Sequence, residues 1–141
     1  MNPTWNARFM DHARSWAMCS ADPTTKVGAV VVNDHAQIVG HGYNHFPRPL
    51  IERPEVLADR EAKYKRVVHA EVAALWMAGE RARGGILYST LYVCPTCVPL
   101  IILAGVQAVV TPPIPEQREA EGWGEGAAIL GEAGIHVLTV F

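Results

Sequence analysis

The sequence predicts an α/β fold, a three-layer α/β/α sandwich around a mixed five-stranded sheet. Three observations carry that prediction. Half of the 141 residues are hydrophobic and 18% are charged, which suits one buried core and excludes a disordered chain. In the first third, β-branched runs flank a cluster of turn formers, the pattern of a hairpin. From His69 onward, helical and strand patterns alternate. That alternation favours parallel strands with right-handed crossovers, hence helices on both faces of one sheet. The whole chain, 1–141, reads as a single domain.

The elements follow in order. Trp5, Phe9, His12 and Trp16 recur at helical spacing, so residues 4–18 read as a helix ending near Ser20. "KVGAVVVNDHAQIVGHGYN" gives two strands, 27–33 and 37–43, turning at "NDHA". Residues 44–66 are rich in proline and charge and read as one long connection, a length that usually signals function or mobility. A helix over 69–82 comes next, then a Gly-Gly pair and a strand at 86–91. "CPTC" opens a third helix, the strand "VQAVVT" follows, and two prolines break it. A last helix, 116–133, stops at Gly134 before the strand "IHVLTV". No internal repeat or low-complexity segment is visible.

Composition also narrows the partners. A net charge of −2 argues against a protein built to grip phosphodiester backbones. Arg8, Asp11 and Arg14 interrupt the N-terminal segment, so it does not read as a secretory signal. No apolar run approaches the roughly 20 residues that cross a bilayer, so no membrane partner is expected. Three cysteines, an odd number, suit a reducing compartment where thiols stay free. A cytoplasmic protein is the expectation.

The reactive side chains sit at the mouths of apolar segments. His69 and Glu71 head "VVHAEVAAL", and Cys94 and Cys97 head the apolar run of "LYVCPTCVPLIILAGV". Helix N-termini expose unpaired N–H groups and partial positive charge, which favours a thiolate or a carboxylate there. Pro95 after Cys94 fits a first helical position, where its missing donor costs nothing. Two cysteines in one turn can aim both sulfurs at one ion, and a neutral imidazole supplies a third ligand. That donor set suits Zn2+, with a fourth position left open for water. Glu71 is too close to His69 in sequence to be a casual fourth ligand, and it is placed to handle a water's proton. A His-x-Glu triplet arises by chance roughly 0.4 times in such a chain and Cys-x-x-Cys about 0.04 times, so the cysteines and the order of motifs carry the weight. Other readings stay open. His69 and Glu71 also suit an ordinary helix start, and Cys-Pro-x-Cys between a strand and a helix also describes a thioredoxin-like redox site. A purely structural zinc would use the same ligands. The redox reading leaves His69 and Glu71 without work.

"HAE" followed by "CPTC" resembles the signature of the zinc-dependent cytidine deaminase superfamily. Within it, the chain is most similar to deoxycytidylate (dCMP) deaminases, through "ADPTTKVGAVVV", "GYN", "KY" before "HAE", "LIILAGV" and "EAGIHV". The resemblance implies a cytidine deaminase-like fold and hydrolytic deamination of a free pyrimidine nucleotide, dCMP to dUMP with release of ammonia. Another aminated ring, such as guanine, cytidine or a modified base or nucleoside, is the alternative. By this resemblance His69, Cys94 and Cys97 would bind zinc and Glu71 would be the proton shuttle. Asn44 would contact the sugar or ring edge, the amide of Ala70 the ring carbonyl, and Tyr92 would stack on the ring. Arg48, Arg53, Arg60 and Lys63 are basic candidates for a phosphate. The plainer alternatives are a left-handed turn asparagine for Asn44, a core aromatic for Tyr92 and solvated charges for the loop cations. Three residues depart from the family pattern: Val93 replaces a proline, His45 a glycine and Cys19 an arginine. Cys19 otherwise reads as a small buried hydrophobe. The only basic clusters, "KYKR" and "RAR", lack interleaved aromatics, so no nucleic-acid partner is expected. A small-molecule substrate and a homodimer or homohexamer are.

Overall fold

The computed structural model describes residues 2–140. Asn2 caps the first helix by accepting from the Thr4 amide at 2.8 Å, and Pro3 stands in the first turn, so α1 runs Pro3–Ala17. β1 (Gly28–Val32) is buried along its whole length and pairs antiparallel with β2 (Ile38–Tyr43). Two short helices, α2 (Pro54–Ala58) and α3 (Arg60–Tyr64), precede α4 (Ala70–Ala78). Then come β3 (Ile86–Ser89), α5 (Val98–Ala104), β4 (Ala108–Thr111), α6 (Glu116–Ala120), α7 (Glu125–Glu132) and β5 (His136–Thr139).

The sheet has the order β2-β1-β3-β4-β5. β1 lies antiparallel to β2 and β3, whereas β3, β4 and β5 are mutually parallel neighbours, so the sheet is mixed as expected. Alternation along the strands builds two cores. Val30, Val32, Tyr88 and Val110 pack against Phe9, Met10 and Ala13 of α1. Ala29, Val31, Leu87 and Val109 pack against Ala70, Ala74 and Leu75 of α4, Val98 and Ile101 of α5, and Leu130 of α7. Each such Val or Leu contributes about 1.5–3 kcal/mol of transfer free energy, which is ample reason for helices on both faces.

The glycines of "GHGY" bring α4 down onto β2. A Cβ at Gly42 would stand 2.6 Å from the Ala70 carbonyl oxygen and 2.7 Å from the Ala73 Cβ. The backbones therefore approach more closely than any larger residue would allow.

Several predicted boundaries differ from the structure. The connection 44–66 contains α2 and α3, because Pro54 starts the first and Asp59 caps the second, accepting from the Ala62 amide at 3.2 Å. The helix expected over 69–82 is α-helical only to Ala78; Gly79, at φ 56°, ends it and a 3-10 turn covers Gly79–Ala82. "CPTC" forms a 3-10 turn over Pro95–Cys97, and α5 begins only at Val98. Pro99 has no N–H to close the bond that would continue an α-helix through the cysteines. The single helix expected over 116–133 is two, parted at Gly122, whose φ of 84° no helix contains. Cys19 is exposed rather than buried, because it follows the last turn of α1.

Candidate active site

Two chain entries are pinned independently. His45 and Val68 exchange backbone hydrogen bonds at 3.2 and 2.8 Å, which fixes the approach to α4 immediately before His69. His69 is then the N-cap of α4, with extended backbone at φ −70° and ψ 151°, and Glu71 lies in the first turn. On the other side, the Leu91 carbonyl accepts from Thr111 Oγ1 at 3.1 Å and lies 2.9 Å from Ser89 Oγ. This holds the segment that leaves β3 for the cysteines. Cys94 caps the 3-10 turn and Cys97 caps α5, so both sulfurs come from one turn.

The ligand atoms of His69, Cys94 and Cys97 all lie within 4.8 Å of one another. His69 Nδ1 stands 3.2 Å from Cys97 Sγ. Tetrahedral zinc with bonds of about 2.0–2.3 Å needs ligand atoms roughly 3.5–3.8 Å apart, so this group fits the ion with only small adjustment. Its donor set, two sulfurs and one imidazole nitrogen, is one zinc favours, and three protein ligands leave a fourth position open.

The electrostatics agree with that chemistry. The Cys94 thiol is pushed down to about 3, chiefly by the hydrogen bond with Cys97 and further by His69. Cys97 moves up, because its proton serves the Cys94 sulfur and because it is buried. His69 is raised, first by its hydrogen bond with Cys94 and against the effect of burial. Glu71 is 4% exposed, and burial lifts its carboxyl above the usual range although Ser89 Oγ donates to Oε1 at 2.6 Å.

The structure brings His69, Glu71, Cys94 and Cys97 together. Ala70 is the first residue of α4, where no preceding turn supplies a carbonyl for its amide. Tyr92 is 7% exposed, and burial raises its phenol above 10. Asn44 is buried, and its side chain is engaged: Oδ1 accepts from the Val27 amide at 2.8 Å and Nδ2 donates to the Thr25 carbonyl at 2.8 Å. It braces the segment between α1 and β1. Lys63 lies 3.2 Å from Asp22, and both side chains are largely buried, so its charge is already matched. Arg48, Arg53 and Arg60 are exposed; Arg53 and Arg66 line an open pocket of about 300 Å³ with Leu50 and Ile51. Ser89 escaped the sequence reading. Its signal was there: period two puts Ser89 on the same face as core residue Leu87, and a core-facing hydroxyl requires a partner.

The family model of the cytidine and deoxycytidylate deaminase zinc-binding region matches residues 3–112. The uncharacterized deaminase in the luxG 3' region of Aliivibrio fischeri is 33% identical over 139 residues, 94% of this chain and 91% of that protein. Human deoxycytidylate deaminase is 36% identical over 114 residues, 75% of this chain and 63% of that one, so the chain spans less than two thirds of this relative. Among solved structures, the dCMP deaminase from cyanophage S-TIM5 in complex with dCMP and dUMP has a TM-score of 0.79 at 26% identity, over 99% of both chains. With a zinc-fitting trio beside a buried glutamate and a family match across most of its length, the chain belongs to the cytidine and deoxycytidylate deaminases, zinc-dependent aminohydrolases.

Proposed function

We propose that the protein deaminates a free pyrimidine nucleotide, converting dCMP and water to dUMP and ammonia. The observation that carries this reading is the buried Glu71 carboxylate, set two residues from a His/Cys/Cys group. His69, Cys94 and Cys97 would hold the zinc. Zinc bound there would supply the Lewis acidity that lets water act as a nucleophile near neutral pH. Glu71 accepts the proton from the attacking water and passes it to the ring nitrogen beside the amine. It then takes the remaining proton from the hydroxyl on the attacked ring carbon and delivers it to the amine, so that the C–N bond breaks, the hydroxyl oxygen becomes the carbonyl and ammonia leaves. A carboxyl lifted by burial suits a group that must both take and give a proton. The Ala70 amide donates to the ring carbonyl, Tyr92 packs against the ring, and Asn44 keeps the sugar side of the pocket in shape.

The choice of dCMP is supported by the deoxycytidylate deaminase relatives and by the exposed arginines of residues 44–66. The acidic net charge supports a free nucleotide over a polymer. The test compares kcat/KM for dCMP, deoxycytidine and guanine by ammonia release. We expect dCMP to lead by at least about tenfold, the minimum for one useful phosphate contact at 1.4 kcal/mol. A preference for either phosphate-free compound would replace this reading with the deaminase of another aminated ring.

A further inference from the structure

Ser89 is the last residue of β3, the central strand of the sheet, and its backbone is registered against Ala29 of β1. Strand alternation sends its side chain, like that of Leu87, toward the layer that holds α4. The position is fully buried. A hydroxyl at that depth is costly unless paired, and this one is paired with the reactive carboxylate. Ser89 Oγ lies 2.6 Å from Glu71 Oε1, within the range of a short charge-assisted O–H···O⁻ bond. The Leu91 carbonyl, 2.9 Å away, is its second acceptor, so the hydroxyl keeps a partner whenever Oε1 is turned away.

A glutamate's last torsion is soft and nearly two-fold, so packing alone does not choose which oxygen faces a substrate. A strong donor on one oxygen does. Among the described residues, Ser89 is the side chain that donates to Glu71; the residue's own backbone amide also interacts with the carboxylate, but it travels with Glu71, whereas Ser89 ties it to the sheet. We propose that Ser89 is a positioning residue for Glu71: it holds Oε1 from the central strand and leaves Oε2 as the oxygen that exchanges protons. This rests on the reading of Glu71 as the proton carrier. The serine touches neither substrate nor metal ligands in this scheme; it acts through the carboxylate. It reduces the orientations that Glu71 must search in each turnover, an effect on the reacting state and not on substrate affinity.

The test is steady-state kinetics on Ser89→Ala and Ser89→Cys, with zinc content and melting temperature measured on the same preparations. Loss of a hydrogen bond to a charged group predicts a kcat roughly 10- to 100-fold lower in Ser89→Ala. KM stays within about twofold and one zinc per chain remains. Ser89→Cys, of similar shape with a weak S–H donor, should fall between the alanine variant and the natural protein at the same KM. It carries the test alone if the alanine variant does not fold. An unchanged kcat in both variants overturns the inference. So does a loss of zinc, or a fall in melting temperature with kcat intact, because either marks a purely structural serine. Glu71→Gln separates the two layers of the argument. If it retains turnover, the proton-carrier reading itself fails; if it abolishes turnover while Ser89→Ala does not affect kcat, only the positioning role fails.

Discussion

Glu71 and Cys97 are both buried and both within the same small cluster, yet they should fail differently when removed. Cys97 offers a sulfur to the metal group, whereas Glu71 points its carboxylate at Ser89 and adds no atom to that group. Cys97→Ala should therefore lose zinc, measured by metal analysis of protein prepared without added metal. Glu71→Ala should keep zinc and fold while turnover falls on the order of 10²–10⁴-fold, the usual loss for a general acid–base group. A Glu71 variant without zinc would make that residue a ligand. The four central residues were legible because their types are rare together and their spacing is local. Ser89 was legible only as a core-facing hydroxyl in need of a partner; that the partner is Glu71 depends on which helix faces the strand.

The segments that carry the site are braced by short elements. Asp22, in the turn after α1, accepts from the Thr24 amide at 2.9 Å and the Thr25 amide at 3.1 Å, and pairs with Lys63 of α3 at 3.2 Å. Burial alone would raise the Asp22 carboxyl, but these donors outweigh it and hold the group below 3.8. A depressed folded-state pKa means that its stabilisation is full above the unfolded value, about 3.9, and is lost as pH falls through the folded one. Asp22→Asn should destabilise the protein by about 1–3 kcal/mol at pH 7, since Lys63 then lacks its counter-charge. In urea titrations that difference should shrink as the pH drops below about 4. A constant difference from pH 7 to 3 would show that the ion pair is not what the substitution removes. Sequence reading offered Lys63 as a basic candidate for a phosphate, without its partner Asp22, and took the whole of 44–66 as one connection. Both omissions share a cause: α3 is five residues long, below the length at which periodicity speaks, and Asp22, the partner of its Lys63, is far away in the chain.

At the scale of the molecule, the helices that begin at the metal group end on apolar surface. On α4, Trp76 is 86% exposed and Met77 is also exposed; on α5, Leu103 is 74% exposed and Leu100 is also exposed. α4 and α5 pack against the same core, so these side chains project from one layer of the sandwich. Exposed large apolar side chains on two helices of one layer suit an interface, and we expect a symmetric homodimer or a homohexamer built on it. Light scattering at micromolar concentration should give at least twice the 15.4 kDa of one chain. Trp76→Arg should shift the protein toward monomer and lower activity with it, because α4 and α5 start directly from the turns that bring His69, Cys94 and Cys97 together. A fully active monomer would break the link between assembly and site.

Periodicity and rare motifs in the sequence sufficed for the layered α/β architecture, the antiparallel hairpin, the zinc chemistry and the identity of Glu71 as its neighbour. These depend on apolar spacing and on residue types with few alternative uses, both local properties of the chain. Only the tertiary structure decided where the α-helices truly begin at the cysteines, that Asn44 and Lys63 are engaged by the α1–β1 segment, and that Ser89 reaches Glu71. Each of those facts is a contact between segments far apart in the chain. Such contacts are set by strand order and by the close approach that Gly42 allows to α4, which no spacing within one segment encodes.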